Sequence, residues 1–450
     1  MKILIKNINY LVTMNEKNEI YKNTNIVIND NLISYIGNVL DEHYDEVYDA
    51  EDKIVIPGLI NTHVHLSQQL GRGLADDVDL LTWLQDRIWP YESSLSPEDN
   101  YLSSLACCIE LVKSGVTTFL EAGGQHVESM VDAVTKAGIR GCLSKSVTDS
   151  GKGLPASFIE TVDDTLKYQE ELYNKFNGVA SGRIKIWLGL RTIYSNTDAL
   201  IIKTKELADK LGTGIHMHIA EIKDEIEYAK ATRGTSTVEH LANIGVLGSN
   251  LLAVHTVWLT DEEVDLFKKY DVKVSHNPAA AMKVVVGFAK VPEMIEKGIP
   301  VAIGTDGAPS NNRMDLMRDM YLTGLIHKGR TLDAKSVDAY EVLKMATMNG
   351  ARCALMQDEI GSLEVGKKAD LVVLDLKDIA TLPIYDFIGN IVYSSTSRNV
   401  ESTMCDGKWV YKHKKILFED EEEILDRIKE KSKLIAESLN ISLENKYNII

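Results

Sequence analysis

The sequence predicts an α/β fold, a (β/α)8 (TIM) barrel carrying a small β-sandwich domain formed by the N- and C-terminal segments. Three observations predict it. Eight apolar strand-like runs alternate with helical stretches over about 300 residues, as a barrel of this kind requires. The residues suited to chemistry fall at the C-terminal ends of the first, fifth, sixth and eighth runs. Strand character without helical period marks both ends of the chain. A doubly wound sheet would show the same alternation, but only a closed barrel brings those four strand ends round one mouth.

Residues 1 to about 56 read as short strands with turns such as Asn29-Asp30-Asn31, and Ile26 and Ile28 alternate with polar neighbours. The barrel strands are expected near 58–63, 116–122, 138–147, 183–191, 213–220, 251–256, 272–276 and 300–305. Between them, stretches such as 199–211 and 261–270 repeat apolar residues at three and four, the helical spacing. Beyond residue 360, strands are expected at 370–374 and 391–395 and in a hairpin turning at Asp406-Gly407. In the tail, Ile424, Ile428, Ile435 and Leu439 share one stripe of an amphipathic helix. These elements divide the chain into a small β domain (1–56 with 361–418), a catalytic barrel (57–360) and a C-terminal helix and tail (419–450).

Composition limits the function. With 44% hydrophobic residues over 450 positions, the chain can bury a large core. Its 49 basic and 66 acidic residues give a net charge of −17, which argues against nucleic acid as a partner and for a small molecule, with self-association left open. The N-terminus is broken by polar residues too early for a signal peptide, and no apolar run reaches membrane-spanning length. The five cysteines are scattered, without the spacing of a disulfide framework or a cysteine zinc site. A reduced, cytosolic protein without a membrane partner is expected.

The chemistry begins with Asn61-Thr62-His63-Val64-His65 at the end of the first barrel strand. Residues two apart on a strand point to one side, so both imidazoles can meet one ion. The fifth strand adds His216-Met217-His218-Ile219-Ala220-Glu221, the sixth Val254-His255-Thr256, and the eighth Gly304-Thr305-Asp306-Gly307. Three imidazoles and a carboxylate suit zinc or a similar first-row divalent ion; calcium and magnesium prefer oxygen ligands. His216 lies one pleat deeper than His218 and is expected to pack inside the barrel, and His276 is expected to be structural.

The run Ile54-Val55-Ile56-Pro57-Gly58-Leu59-Ile60-Asn61-Thr62-His63-Val64-His65 resembles the amidohydrolase superfamily, as do Ser275-His276-Asn277-Pro278, Gly304-Thr305-Asp306-Gly307 and the stretch Gly361-Ser362-Leu363-Glu364-Val365-Gly366 with Ala369-Asp370-Leu371 after it. More narrowly, it is similar to the branch of adenosine-derivative deaminases, guanine-type and pterin deaminases and triazine hydrolases. The resemblance implies one divalent metal ion, zinc or iron(II), held by His63, His65, His218 and Asp306. It implies Glu221 as proton shuttle, with His255 and Asp306 completing the catalytic set. Zinc lowers the pKa of bound water from about 15.7 toward about 7, which supplies a nucleophile at neutral pH.

The resemblance also marks Gln68, Trp83, Glu92 and Lys145 as substrate contacts, and Arg191 is added for its five fixed donors at a strand end. Trp83 would cover an aromatic ring, Glu92 would bind ribose hydroxyls, and Lys145 stands where relatives that accept a carboxylate-bearing tail have arginine. Two departures bear on the substrate: Leu190-Arg191-Thr192-Ile193 replaces the Pro-His-Ser-Pro of adenosine-derivative deaminases, and Ala279-Ala280-Ala281 replaces polar residues. Arg191 and Gln68 would suit an oxygenated, amino-bearing ring such as a pterin, a guanine-like purine or a triazine, deaminated hydrolytically. The alternative is an adenosine derivative such as methylthioadenosine or S-adenosylhomocysteine. A binuclear relative would carry a bridging lysine at the end of the fourth strand, where this chain has Arg191. A non-catalytic metal-binding descendant would be expected to have lost Glu221.

Overall fold

The structure is a computed structural model that describes residues 1–38 and 42–439. The tail beyond 439, part of the expected C-terminal segment, lies outside the described residues.

The N-terminal strands are β1 (Lys2–Val12), β2 (Ile20–Asn29), β3 (Leu32–Gly37), β4 (Glu46–Asp49) and β5 (Ile54–Pro57). Ile26 and Ile28 are buried as their alternation predicts, and Val27 between them is buried as well. The central strands are β6 (Leu59–His65), β7 (Val116–Glu121), β8 (Arg140–Leu143), β9 (Ser146–Val147), β10 (Ile184–Ile186), β11 (Leu188–Leu190), β12 (Ile215–Ile219), β13 (Leu251–His255), β14 (Lys273–His276), β15 (Val301–Ile303) and β16 (Asp306–Gly307). The C-terminal strands are β17 (Leu371–Leu374), β18 (Val400–Cys405), β19 (Lys408–Lys412) and β20 (Lys415–Ile416).

The central strands form two parallel sheets, ordered β10-β8-β7-β6-β16 and β15-β14-β13-β12-β11-β9. The expected third, fourth and eighth strands each break into two ladder segments, one in each sheet. The hydrogen bonding thus gives two sheets where the sequence led to one closed ring. The break after β8 has a steric counterpart: a Cβ on Gly189 would lie 2.1 Å from the Lys145 carbonyl oxygen, an approach that only glycine permits. Strands of both sheets still face one interior, because Ile60, Leu120, Cys142, Trp187, Leu252, Val254 and Ala302 belong to a single buried cluster.

Helices on the outside complete the α/β pattern. Pro97–Lys113 begins with a capping box between Ser96 and Asp99, and Asp261–Tyr270 with one between Thr260 and Glu263. Asp198–Leu211 ends at Gly212, whose φ of 65° suits a left-handed cap. The tail helix Glu421–Ser438 lays Ile424 and Ile435 against Leu102, Leu105 and Ile109 of the Pro97–Lys113 helix.

The two ends of the chain join where β5 pairs with β1 on one side and β17 on the other. All nine terminal strands make one hydrogen-bonded sheet around a core that includes Ile3, Ile5, Ile28, Val55, Leu371 and Val373, so the expected two-sheet sandwich is a single continuous sheet. The hairpin turns at Asp406-Gly407, with φ of 50° and 74° as a tight primed turn requires. The strand expected at 391–395 is instead a wide helical turn, Asn390–Ser394, following a helix start capped by the Asp386 side chain. A short apolar run reads alike in either state, and here the cap decides it.

Candidate metal centre

The polar strand ends converge because their strands are neighbours. Asp306 is opposite Val64 in the β6–β16 pair, and His218 is opposite Val254 in the β12–β13 pair. The backbone bends sharply there: Ala220, His255, Thr256 and Asp306 have φ of 53°, 70°, 51° and 65°. A β-branched threonine in this region is strained, and such strain clusters at functional sites. Glu225 stabilises one bend by accepting hydrogen bonds from the Ala220 and Glu221 amides at 2.8 and 3.1 Å. Buried Glu121 accepts from the Leu66 and Gly123 amides at 2.7 and 3.2 Å and anchors the chain just after His65. Neither carboxylate stood out in the sequence, since both act on backbone that only the fold brings near.

Four imidazoles and one carboxylate share the resulting space. The rings of His65, His218 and His255 lie 5.0, 5.0 and 5.3 Å from that of His63. Asp306 Oδ1 is 3.4 Å from Nε2 of both His63 and His65. Among the described residues, His63, His65 and Asp306 form one group able to hold a metal, and His63, His218 and His255 another, with the donor atoms of each within 4.8 Å of one another. Burial pushes all four imidazoles toward the neutral form, His218 down to about 4, and a neutral imidazole is what a metal binds. His63 Nε2 is buried and has no hydrogen-bond partner. A buried nitrogen without a partner is costly unless an ion completes it, so the donor set fits a divalent metal.

Hydrogen bonds at the far nitrogens orient the rings. His63 Nδ1 meets His216 Nε2 at 2.8 Å, and His218 Nδ1 donates to the Arg191 carbonyl at 3.0 Å. Asn277 Nδ2 donates to His255 Nδ1 at 3.1 Å. In the sequence Asn277 stands only within the Ser275-His276-Asn277-Pro278 motif, and His216 reads only as a packed residue. His276 pairs with His327 at 3.2 Å, away from this cluster.

Glu221 Oε1 is 3.6 Å from His255 Nε2, and Glu221 is in neither donor group. Burial pushes its carboxyl well above the usual range and the Asp306 charge adds to this, while Arg191 opposes it. A cavity of about 50 Å³ touches His65, His218, Glu221, His255 and Asp306 and is walled by Gln68, Trp83 and Arg191. A larger chamber of about 630 Å³ shares Leu80, Leu84, Arg191, Thr192 and Glu221 with it and continues past Trp89, Tyr194 and Tyr228.

The other expected contacts divide. Gln68 Nε2 and Arg191 both donate to Glu92, at 2.7 and 3.3 Å, forming one buried trio. Trp83 Nε1 points to the Pro309 carbonyl at 3.5 Å, and its segment 83–88 winds as a wide helical turn, a form frequent at functional sites. Lys145 is drawn off elsewhere: its ammonium is 2.5 Å from Glu160 and over the Tyr168 ring, and it lines neither cavity.

Comparison with known proteins gives a consistent set of relatives. The model of the Amidohydrolase family matches residues 54–410. The chain is 38% identical to a 5-methylthioadenosine/S-adenosylhomocysteine deaminase of Thermoanaerobacter pseudethanolicus, over 96% of this chain and 99% of that one. It is 39% identical to a 5'-deoxyadenosine deaminase of Methanobrevibacter smithii, over 91% and 94%. Among solved structures, an adenosine deaminase of Xanthomonas campestris with bound zinc superposes with a TM-score of 0.92 at 26% identity, covering 97% of this chain and 98% of that one.

Proposed function

The chain belongs to the amidohydrolase family, and we propose that it is a metal-dependent deaminase of 5′-modified adenosines, replacing the ring amine with oxygen and releasing ammonia. The observation that carries the chemistry is the Glu221 carboxylate, 3.6 Å from His255 Nε2 and beside a buried histidine and aspartate cluster to which it does not belong. His63, His65, His218 and Asp306 would hold the ion. Zinc is supported by its presence in the adenosine deaminase that superposes on this chain. What such an ion supplies when bound is Lewis acidity, lowering the pKa of water toward about 7.

The chain's own groups do the proton work. Glu221 takes a proton from the attacking water and delivers it to the ring nitrogen beside the carbon that bears the amine, making that carbon electrophilic. The Asn277 amide, donating to His255 Nδ1, leaves the His255 proton on Nε2, the nitrogen facing Glu221. His255 and Asp306 then orient the oxygen, and Asp306 passes the second proton of the added water to the departing amine, so that the carbon–oxygen bond forms, the bond to the amine breaks and ammonia leaves.

The names of the relatives support adenosine derivatives over the free pterin, guanine-like or triazine ring. The trio of Gln68, Glu92 and Arg191 points the same way. Both donors that would grip an oxygenated ring are turned onto Glu92, and a carboxylate held by two donors is suited to accept ribose hydroxyls. The chamber beyond Glu221 then takes the 5′ substituent. The test is ammonia release from methylthioadenosine, 5′-deoxyadenosine, S-adenosylhomocysteine and adenosine beside pterin, guanine and hydroxylated triazines. Preference for the 5′-modified nucleosides is expected; turnover of free rings alone would overturn the substrate assignment and leave the deamination chemistry standing.

A further inference from the structure

His63 is the imidazole common to both donor groups, and its state decides whether the centre can form. To bind an ion through Nε2 it must keep that lone pair bare, with its single proton on Nδ1. A neutral imidazole can adopt either tautomer, and the hydrogen bond at the other nitrogen selects between them. We infer that His216 is a positioning residue that fixes His63 in the metal-binding tautomer.

The geometry is specific. His216 Nε2 lies 2.8 Å from His63 Nδ1, and the two nitrogens can share only one proton. With that proton on His63, His216 Nε2 must accept, so His216 keeps its own proton on Nδ1. The opposite arrangement would place the His63 proton on Nε2, where Asp306 Oδ1 at 3.4 Å makes no hydrogen bond with it and where it would occupy the lone pair an ion needs. Both rings are buried, His216 at 1% exposure, so water cannot take the acceptor's place. Strand periodicity makes the arrangement possible. His216 and His218 are two residues apart on β12 and share a face, so one strand supplies the ion with His218 and supports His63 from the pleat below. His218 needs no such partner, because the Arg191 carbonyl accepts from its Nδ1.

This inference rests on the reading of His63 as a ligand, and the test separates the two. Zinc affinity of the full-length protein is measured by competition with a chromophoric chelator, alongside the melting temperature of each metal-free variant. His63→Ala should lose tight binding. His216→Met, which removes the acceptor, should weaken zinc by about 10–100-fold, whereas His216→Gln, whose amide oxygen reaches a similar point, should stay within about threefold of wild type. Should the Met variant not fold, His216→Asn replaces it: its amide falls short of His63, and it should show the same loss. Wild-type affinity in the Met or Asn variant, or equal loss in the Gln variant, would overturn the role of His216. Wild-type affinity in His63→Ala would overturn the ligand reading instead.

Discussion

The two ends of the parallel strands put their buried charged and ring groups to different uses. At the start of β8, the Arg140 guanidinium donates to both oxygens of Asp370, at 3.2 and 3.4 Å, and to Asp406 at 3.4 Å; the Asp406 amide donates to Asp370 at 2.8 Å. This cluster ties the parallel sheet to β17 and the β18–β19 hairpin, and its charges answer one another. At the opposite end, His63 Nε2 is buried without a hydrogen-bond partner inside the groups formed by His65 and Asp306 and by His218 and His255. Buried groups that satisfy one another hold a fold together; a buried nitrogen left open among metal-binding side chains prepares a place for a ligand.

The largest effects are expected at the open end. Asp306→Ala should lose both metal and turnover, to background in an ammonia assay, yet melt within a few degrees of the metal-free wild type; collapse of the metal-free variant would show that this end is structural too. Next in size, Glu221→Gln should keep the metal and lose about 10²–10⁴ in kcat, the usual value of a positioned proton-transfer group. Retained wild-type turnover would remove Glu221 from the mechanism. At the closed end, Arg140→Met takes the cation from buried Asp370, while Asp406 keeps Arg183 and Lys368 at 3.9 Å, and should cost about 3–5 kcal/mol in denaturant melts. Zinc content per folded chain should not change, and a lost metal would mean the two ends are coupled. The smallest effect is expected from Glu92→Gln, which should lower kcat/KM for nucleosides by roughly 10- to 100-fold through a weakened charged hydrogen bond, while sparing any turnover of the free base.

The same contrast explains what the sequence could and could not reveal. His63, His65, His218, His255 and Asp306 stand out in the sequence because strand ends with period-two histidines carry a pattern of their own, and the fold gathers them into two groups that share His63. The helices at Asp198–Leu211 and Asp261–Tyr270 were legible from apolar spacing. The partners of those histidines were not. Asn277 and His216 are ordinary residues until tertiary contact aims them at His255 and His63. Arg191 looked like a free donor at a strand end, and only the fold reveals Glu92 beneath it, 99 residues away in the chain. Lys145 was placed by analogy, and the nearby Glu160, on a loop with no motif, turns it aside. The terminal sheet was legible as strands, but whether they form one sheet or two depends on the pairing of β5 with β17, which no local pattern encodes.

One ion at the open end should suffice to drive deamination. The protein is stripped with a chelator and zinc is titrated back while ammonia release from 5′-deoxyadenosine is followed. The stripped protein should show no turnover, recovery should follow added zinc, and the plateau should come at about one equivalent per chain, as a single site of three imidazoles and one carboxylate requires. Turnover without metal, or a plateau only at two equivalents, would contradict it.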